Sequence, residues 1–368
     1  MRNRTDKKES SSPRTSRLWE SLLGFLPAAL GGAGLCVLIG VLAGAGALDI
    51  LSAIWEGAWG SADATAATIT KMTPLVLTGL AVALAYRVNL LNIGCEGQLT
   101  LGALSAATVT HVAGFLPSWL LPPLGLAMGA AVGGIWAYPA VCLKRKRDVH
   151  EVITTLLLNY LAVYLAEYLV LGPLGDGTAM GRTPEIPASA RLHPVLQAGA
   201  FGITAAPFCA LFLGLVLQLW LSRTLWGFEA TMTGSNMPAA VASGIGAGRW
   251  QGRVFVVSGA LAGLAGALEV MTVHHRFYRA FSPGYGFDGI AVAFLVNCVP
   301  GMVWLSASLI ASLRAADKWL QLALGISPSV ILVIEAGLLL AVTCRPGFRV
   351  GGWKRGPANS RKSFVGSP

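Results

Sequence analysis

The chain has 368 residues, of which 54% are hydrophobic and 12% charged, with a mean hydropathy of +0.64. Water-soluble domains carry about 25% charged residues, so this composition excludes an ordinary soluble fold and points to an all-α polytopic membrane protein. The net charge of +10 does not mark a nucleic-acid surface, because the basic residues cluster at both termini and in the run Lys144-Arg145-Lys146-Arg147, between apolar stretches, as the positive-inside rule describes.

Residues 1–20 are polar, basic and serine-rich, and read as a disordered cytoplasmic tail. The first apolar run, 22–44, is too long for a signal peptide and reads as a retained span. Further spans are expected at 71–88, 97–114, 119–143, 151–173, 203–222 and 254–272. Gly125, Gly129 and Gly133 recur every four residues, as do Gly259 and Gly263, which is the spacing of close helix packing. Counting crossings from the basic tail places the Lys144–Arg147 run and the loop 223–253 inside. A basic C-terminal tail, 346–368, must also be inside. The stretch GIAVAFLVNCVPGMVWLSASLIASL then has to enter and leave on one side, and Pro300-Gly301 breaks it. It reads as a broken helical hairpin in the C-terminal third, followed by a last span at 319–344. The expectation is about eight transmembrane helices, ten if each arm crosses, within one domain over 21–345, with both termini cytoplasmic. The six cysteines show no Cys-x-x-Cys spacing and read as small core residues.

Three polar stretches interrupt the apolar chain. In RVNLLNIGCEGQLTLGA, Asn92, Glu96 and Gln98 lie among Gly94 and Gly97. A carboxylate at membrane depth marks a pathway or a buried partner. The same residues also fit a plain inner loop after the second span, and both readings stand. In FSPGYGFDGIAVAF, Asp288 is placed to N-cap a helix starting at Gly289, and Tyr285 and Phe287 suit stacking on a ring or anchoring at the interface. In GFEATMTGSNMPAAVASGIGAGRW, Asn236 is an N-cap, Pro238 sits in the first turn and Gly244 ends the helix. A short, small-faced helix then projects from the inner side. Asn159-Tyr160 lies within the fifth expected span, where a buried amide needs a partner.

No lysine follows a glycine, so no P-loop exists, and no enzyme signature is present. His150-Glu151 opens like a zinc motif, but Thr154 takes its last position. His274 and His275 read as a solvated loop beside Arg276.

With these stretches in view, the chain resembles the permease subunits of ATP-binding-cassette importers, in the simple-sugar and nucleoside branch beside the branched-chain amino acid permeases. NIGCEGQLTLGA is similar to that branch's N-I-G-x-E-G-Q pattern, and EVITTLLLNYLAVYLAEYLVLGPL to its E-V-I-x-T-x-x-x-N-Y segment. TPEIPASARL, GFEATMTGSNMPAAVASGI, SGALAGLAGALEV and PGYGFDGIAVAFL follow in the family's order. LVNCVPGMVW departs from it, where a glycine-containing stretch of small residues is usual, and so does Ala315-Ala316-Asp317. The resemblance implies a multi-pass protein of the bacterial inner membrane that moves a nucleoside or related simple sugar by alternating access. It implies no enzymatic activity and no cofactor or metal on this chain, with ATP and Mg in a partner ATPase. Further partners would be a second permease and an extracytoplasmic binding protein or lipoprotein. Gly227, Glu229, Asn236, Ala239, Ala240 and Gly244 would form the coupling surface for the ATPase. Asn92, Glu96, Gln98, Asn159, Tyr160, Phe287 and Asp288 are the expected path or gate residues. A secondary transporter acting alone, or a permease for branched-chain amino acids, is the alternative.

Overall fold

The computed structural model describes residues 46–198 and 201–325, with single positions at 31, 34, 38, 41, 327, 333, 336 and 337 beyond them. Apart from those single positions, the two tails, the first span and all but the start of the last expected span lie outside the described residues. The regular structure described is helical apart from one short hairpin and an isolated bridge between Arg182 and Tyr278. The helices are α1 (Ala47–Trp59), α2 (Ala62–Tyr86), α3 (Cys95–Val112), α4 (Leu121–Arg147) and α5 (Glu151–Leu171). After a long loop carrying β1 (Leu196–Ala198) and β2 (Phe201–Ile203) come α6 (Ala206–Arg223), α7 (Leu225–Ser235), α8 (Met237–Ala242) and α9 (Ala247–Glu269). The last two are α10 (Tyr285–Leu295) and α11 (Val303–Leu324).

Five of these helices, α2, α4, α5, α6 and α9 with its C-terminal extension, are long and apolar enough to cross a membrane, and α10 with α11 forms a pair bent by 104°. The expected span at 97–114 appears as α3, which at 18 residues is about 27 Å long but falls short of the others in apolarity. Its turns carry Gln98, Thr100, Ser105 and Thr110, and neighbouring helices wrap it almost completely. A helix shielded by protein does not need a lipid-compatible surface.

Several expected boundaries move. Helix α1 was not foreseen. Helix α2 starts nine residues before the expected 71, because the Ser61 side chain accepts from Ala64 N (3.0 Å) and caps it. The hydroxyls of Thr68 and Thr70 then bond the carbonyls of Ala64 and Ala66, which hides their polarity within the helix. Helix α9 starts at Ala247 rather than 254, so Arg249 and Arg253 belong to it and not to the loop. The broken hairpin is unequal: its first arm has 11 residues and its second 22, and the second takes in 319–324, which had been assigned to the last span.

The packing glycines behave as their spacing predicts. A Cβ on Gly133 would lie 2.4 Å from Gly259 O, and one on Gly263 would lie 2.2 Å from Gly129 O. Only glycine lets α4 and α9 approach this closely.

The loop after α5 is tied down by charge. Asp176 accepts from Thr178 Oγ1 (2.5 Å) and N (2.9 Å) and pairs with Arg182 Nε (2.6 Å). The Thr178 hydroxyl, its amide and Arg182 push the Asp176 carboxyl down to about 2. Arg276, then Arg191, holds Glu185 below the usual carboxylate range. A depressed carboxylate contributes its stability above the unfolded value, about 3.9 for aspartate, and loses it as pH falls through the folded value. The loop should therefore resist limited proteolysis from pH 7 to about 4 and open between there and about 2. Asp176→Asn should abolish that resistance at all pH values. A digest that is equally slow with the variant would show that the carboxylate does not hold the loop.

Candidate solute path and coupling surface

The Glu96 stretch begins α3 after a non-helical connection from α2. Gln251 on α9 donates to Val88 O (3.3 Å), whereas Asn92 Nδ2 donates to Ser258 Oγ (2.9 Å). Gln251 and Ser258 are seven residues apart, about 10 Å along the helix. The α2–α3 connection therefore leaves α2 at one end of the bundle and climbs back inward before α3 begins. A segment that re-enters without helical bonds must have its backbone satisfied by side chains, and this is what the polar residues do. Asn92 Oδ1 accepts from Gly94 N (3.0 Å) and Gln98 Nε2 (3.1 Å), while its Nδ2 also donates to Gln98 Oε1 (2.9 Å). Asn159, reaching across from α5, accepts from Gly97 N (2.9 Å) and donates to Ile93 O (2.7 Å).

Glu96 joins this junction to the broken hairpin. Its side chain is buried, and its Oε2 accepts from Gly286 N (2.8 Å) in the first turn of α10. Two helix N-termini thus meet around one carboxylate, which the positive end of the α10 dipole favours. Asp288 does not cap a helix at Gly289, contrary to the sequence expectation. The helix already begins at Tyr285, with Ser282 Oγ accepting from the amides of Gly284 and Tyr285 (3.2 Å each), and Asp288 pairs instead with Arg314 of α11 (2.7 Å). At the far tip of the hairpin, Arg87 donates to Cys298 O (3.0 Å), so the tip reaches the end of α2. Asn297 and Cys298 both take positive φ there, 52° and 54°.

Of the expected path residues, Asn92, Glu96, Gln98 and Asn159 therefore meet in one network, and Asp288 adjoins it through α10. Tyr160 stands apart on the outward face of α5, 59% exposed, and Phe287 is 42% exposed. None of the seven lines the cavity of about 920 Å³ that opens beside the end of α9.

That cavity lies between α2, the end of α9, the long loop and the start of α10. Its polar and aromatic lining includes Lys71, Glu269, His274, Tyr278, Phe281 and Tyr285. The sequence reading missed most of these, and it placed His274 and His275 in a solvated loop. Both histidines line the cavity. Helix α9 ends in a π-turn over Val270–His274, a distortion often found at functional sites, and this turn carries Thr272, Val273 and His274 to the wall. Lys71 and Glu269, charges inside expected spans, were the available signal.

On the opposite end of the bundle lies the small helix. The Asn236 side chain accepts from Ala239 N (3.1 Å), Pro238 sits in the first turn, and Gly244 takes φ +81° as the helix stops, all as expected. Its exposure differs from expectation: Ala240 is fully buried and Ala239 half-buried, so the outward face consists of Met237, Pro238, Val241, Ala242 and Ser243. The preceding residues form helix α7, which the sequence had suggested only as a loop. Glu229 on α7 accepts from Trp250 Nε1 on α9 (2.6 Å), and a Cβ on Gly227 would lie 2.2 Å from Trp220 O. These two residues brace α7 against α9 and α6, and so position α8.

A bundle of apolar helices with a re-entrant polar junction, a cavity open to one side near one end and a capped helix at the other fits a membrane permease. Residues 64–343 match the family described as the permease component of the branched-chain amino acid transport system, and the chain belongs to that family. It is a multi-pass transporter component rather than an enzyme. Among its relatives, the guanosine ABC transporter permease protein NupP of Bacillus subtilis (strain 168) is 34% identical over 321 residues, covering 84% of this chain and 89% of the relative. The glucose ABC transporter permease protein TsgB13 of Haloferax volcanii is 34% identical over 281 residues, 74% of each chain. The nucleoside ABC transporter permease protein NupB of Lactococcus lactis subsp. cremoris is 27% identical over 300 residues, covering 79% of this chain and 82% of the relative.

Proposed function

We propose that this chain is the permease subunit of an ATP-binding-cassette importer for nucleosides or simple sugars, with about eight spans and both termini cytoplasmic. The observation that carries this reading is helix α8. It is held rigidly by its Asn236 cap and by the Glu229–Trp250 brace, and it presents a small, mostly apolar face outward on a chain with no nucleotide-binding motif. In this reading α8 enters a groove of a cytoplasmic ATPase subunit that holds ATP and Mg, and the loop 223–253 is the coupling loop. Closure of paired ATPases moves α8, and the motion passes through α7 and α9 into the bundle, alternating access between its two ends. The Glu96–Gly286 junction, where two helix ends share one carboxylate, is the place that shifts. A second permease completes the membrane unit, and an extracytoplasmic binding protein delivers the solute. The likeness to guanosine and nucleoside permeases supports a nucleoside as the solute.

Val241→Glu, on the exposed face of α8, should leave the chain inserted but lower ATPase co-purification and solute uptake by about tenfold or more. Wild-type co-purification and uptake would remove α8 from the coupling surface. Translocation by liposomes holding this chain alone would overturn the importer reading.

A further inference from the structure

The cavity beside the end of α9 has a chemistry that the coupling and gating elements do not use. Lys71 lies nine residues into α2, about 14 Å from its start, and makes no ion pair or hydrogen bond among the described residues. The Glu269 side chain, 7% exposed, has His274 Nε2 at 3.5 Å as its near partner. Three cations, Lys71, Lys318 and Arg191, and one carboxylate, Glu269, therefore line the same space, together with Tyr278 and Tyr285. Charged groups inside a helical bundle are costly and are retained along solute pathways.

The rest of the wall is aromatic. His274 meets Tyr278 and Phe281 edge to face, each at 5.1 Å, and Tyr278 lies 5.5 Å from Phe281. Phe281 is in turn stacked on the buried Phe277 at 5.0 Å. The cluster is thus an aromatic wall, with Phe281 buried and Tyr278 its more open ring, beside cationic donors and one carboxylate acceptor. A pocket of this size and lining accepts a small organic ligand with a few polar contacts. A planar ring stacks on such a wall with little regard to its identity, and ring N–H or exocyclic amine groups suit a carboxylate acceptor. Sugar hydroxyls suit Lys71 and the tyrosine hydroxyls.

We propose that this cavity is a nucleoside-binding chamber, with the base on the Tyr278–Phe281 wall, its N–H edge toward Glu269, and the ribose toward Lys71. The proposal rests on the permease reading and deepens it by assigning where in this chain the solute binds and through which contacts.

The test is uptake of tritiated guanosine, uridine, glucose and leucine by cells lacking the chromosomal copy and carrying the full-length chain or a variant, with ATPase co-purification measured in parallel. The wild type should take up nucleosides. Tyr278→Ala and Glu269→Gln should each lower nucleoside uptake at least tenfold at sub-saturating concentration, with co-purification unchanged. Tyr278→Phe should keep most of the uptake, because the ring remains. Normal nucleoside uptake by both disruptive variants would overturn the chamber and leave the permease reading intact. Wild-type uptake of glucose or leucine but not nucleosides would overturn the assigned class. No ATP-dependent uptake of any solute would overturn the permease reading itself. Should a disruptive variant fail to co-purify with the ATPase, equilibrium binding of guanosine to the Tyr278→Phe and Lys71→Met chains in nanodiscs decides the matter. A tenfold loss for Lys71→Met and near-wild-type binding for Tyr278→Phe support the chamber, and equal binding by wild type and Lys71→Met counts against it.

Discussion

Gly286→Val should sharply lower the yield of folded protein and the melting midpoint of what remains. A Cβ at position 286 would lie 2.2 Å from Glu96 N, 2.4 Å from Glu96 Cα and 2.7 Å from Cys95 C. These are backbone atoms at the start of α3, so no side chain can rotate aside, and α10 must move bodily away. Overpacking of this kind costs about 1–3 kcal/mol and occasionally more. Displacing α10 also lengthens the Gly286 N–Glu96 Oε2 hydrogen bond and exposes a buried carboxylate, so the upper end of that range, about 3 kcal/mol, is expected. For a chain of this size that is a fall in melting midpoint of roughly 4 °C. Gly248→Ala is the control, because its Cβ would meet only Arg145 Nε at 3.6 Å, and it should leave the midpoint within about a degree or raise it slightly. Equal midpoints for the two variants in detergent would show that the α3–α10 approach is looser than described.

The second large effect is expected at Asn159. Replacing it with leucine keeps the volume but removes both polar contacts, leaving the buried Gly97 N and the part-buried Ile93 O without that partner. Each unsatisfied buried group costs about 1–3 kcal/mol, so a loss of about 2–6 kcal/mol is expected, and the re-entrant connection should open first. Hydrogen exchange at residues 92–98 should rise by orders of magnitude while α4 and α9 stay protected. The adjacent Tyr160, exposed on the same helix, provides the contrast: Tyr160→Leu should change stability by no more than about 0.5 kcal/mol. Protection at 92–98 that survives in Asn159→Leu would show that Asn92 and Gln98 hold the connection without the amide from α5.

Both predictions concern a region whose importance was legible before its geometry was. Composition and the spacing of basic residues were enough for a polytopic helical fold, because lipid demands apolar segments wherever backbone bonds close locally. The four-residue glycine spacing was enough for close packing of α4 and α9. Asn236, Pro238 and Gly244 were enough for α8, because capping and termination are short-range and each residue acts on backbone two or three positions away. The order of motifs was enough for the family.

What the one-dimensional pattern left open were the relations between residues far apart in the chain. Whether Asn92–Gln98 forms a loop or re-enters depends on Ser258 and Asn159, which arrive from α9 and α5. Asp288 looked like a cap because local spacing allowed it, yet its partner is Arg314, which only folding brings near. Lys71, Glu269 and the aromatic wall come together because a π-turn at the end of α9 rotates His274 inward. Short-range bonds are written in neighbouring letters, whereas the cavity exists only once α2, the long loop, the end of α9, the start of α10 and Lys318 of α11 have come together.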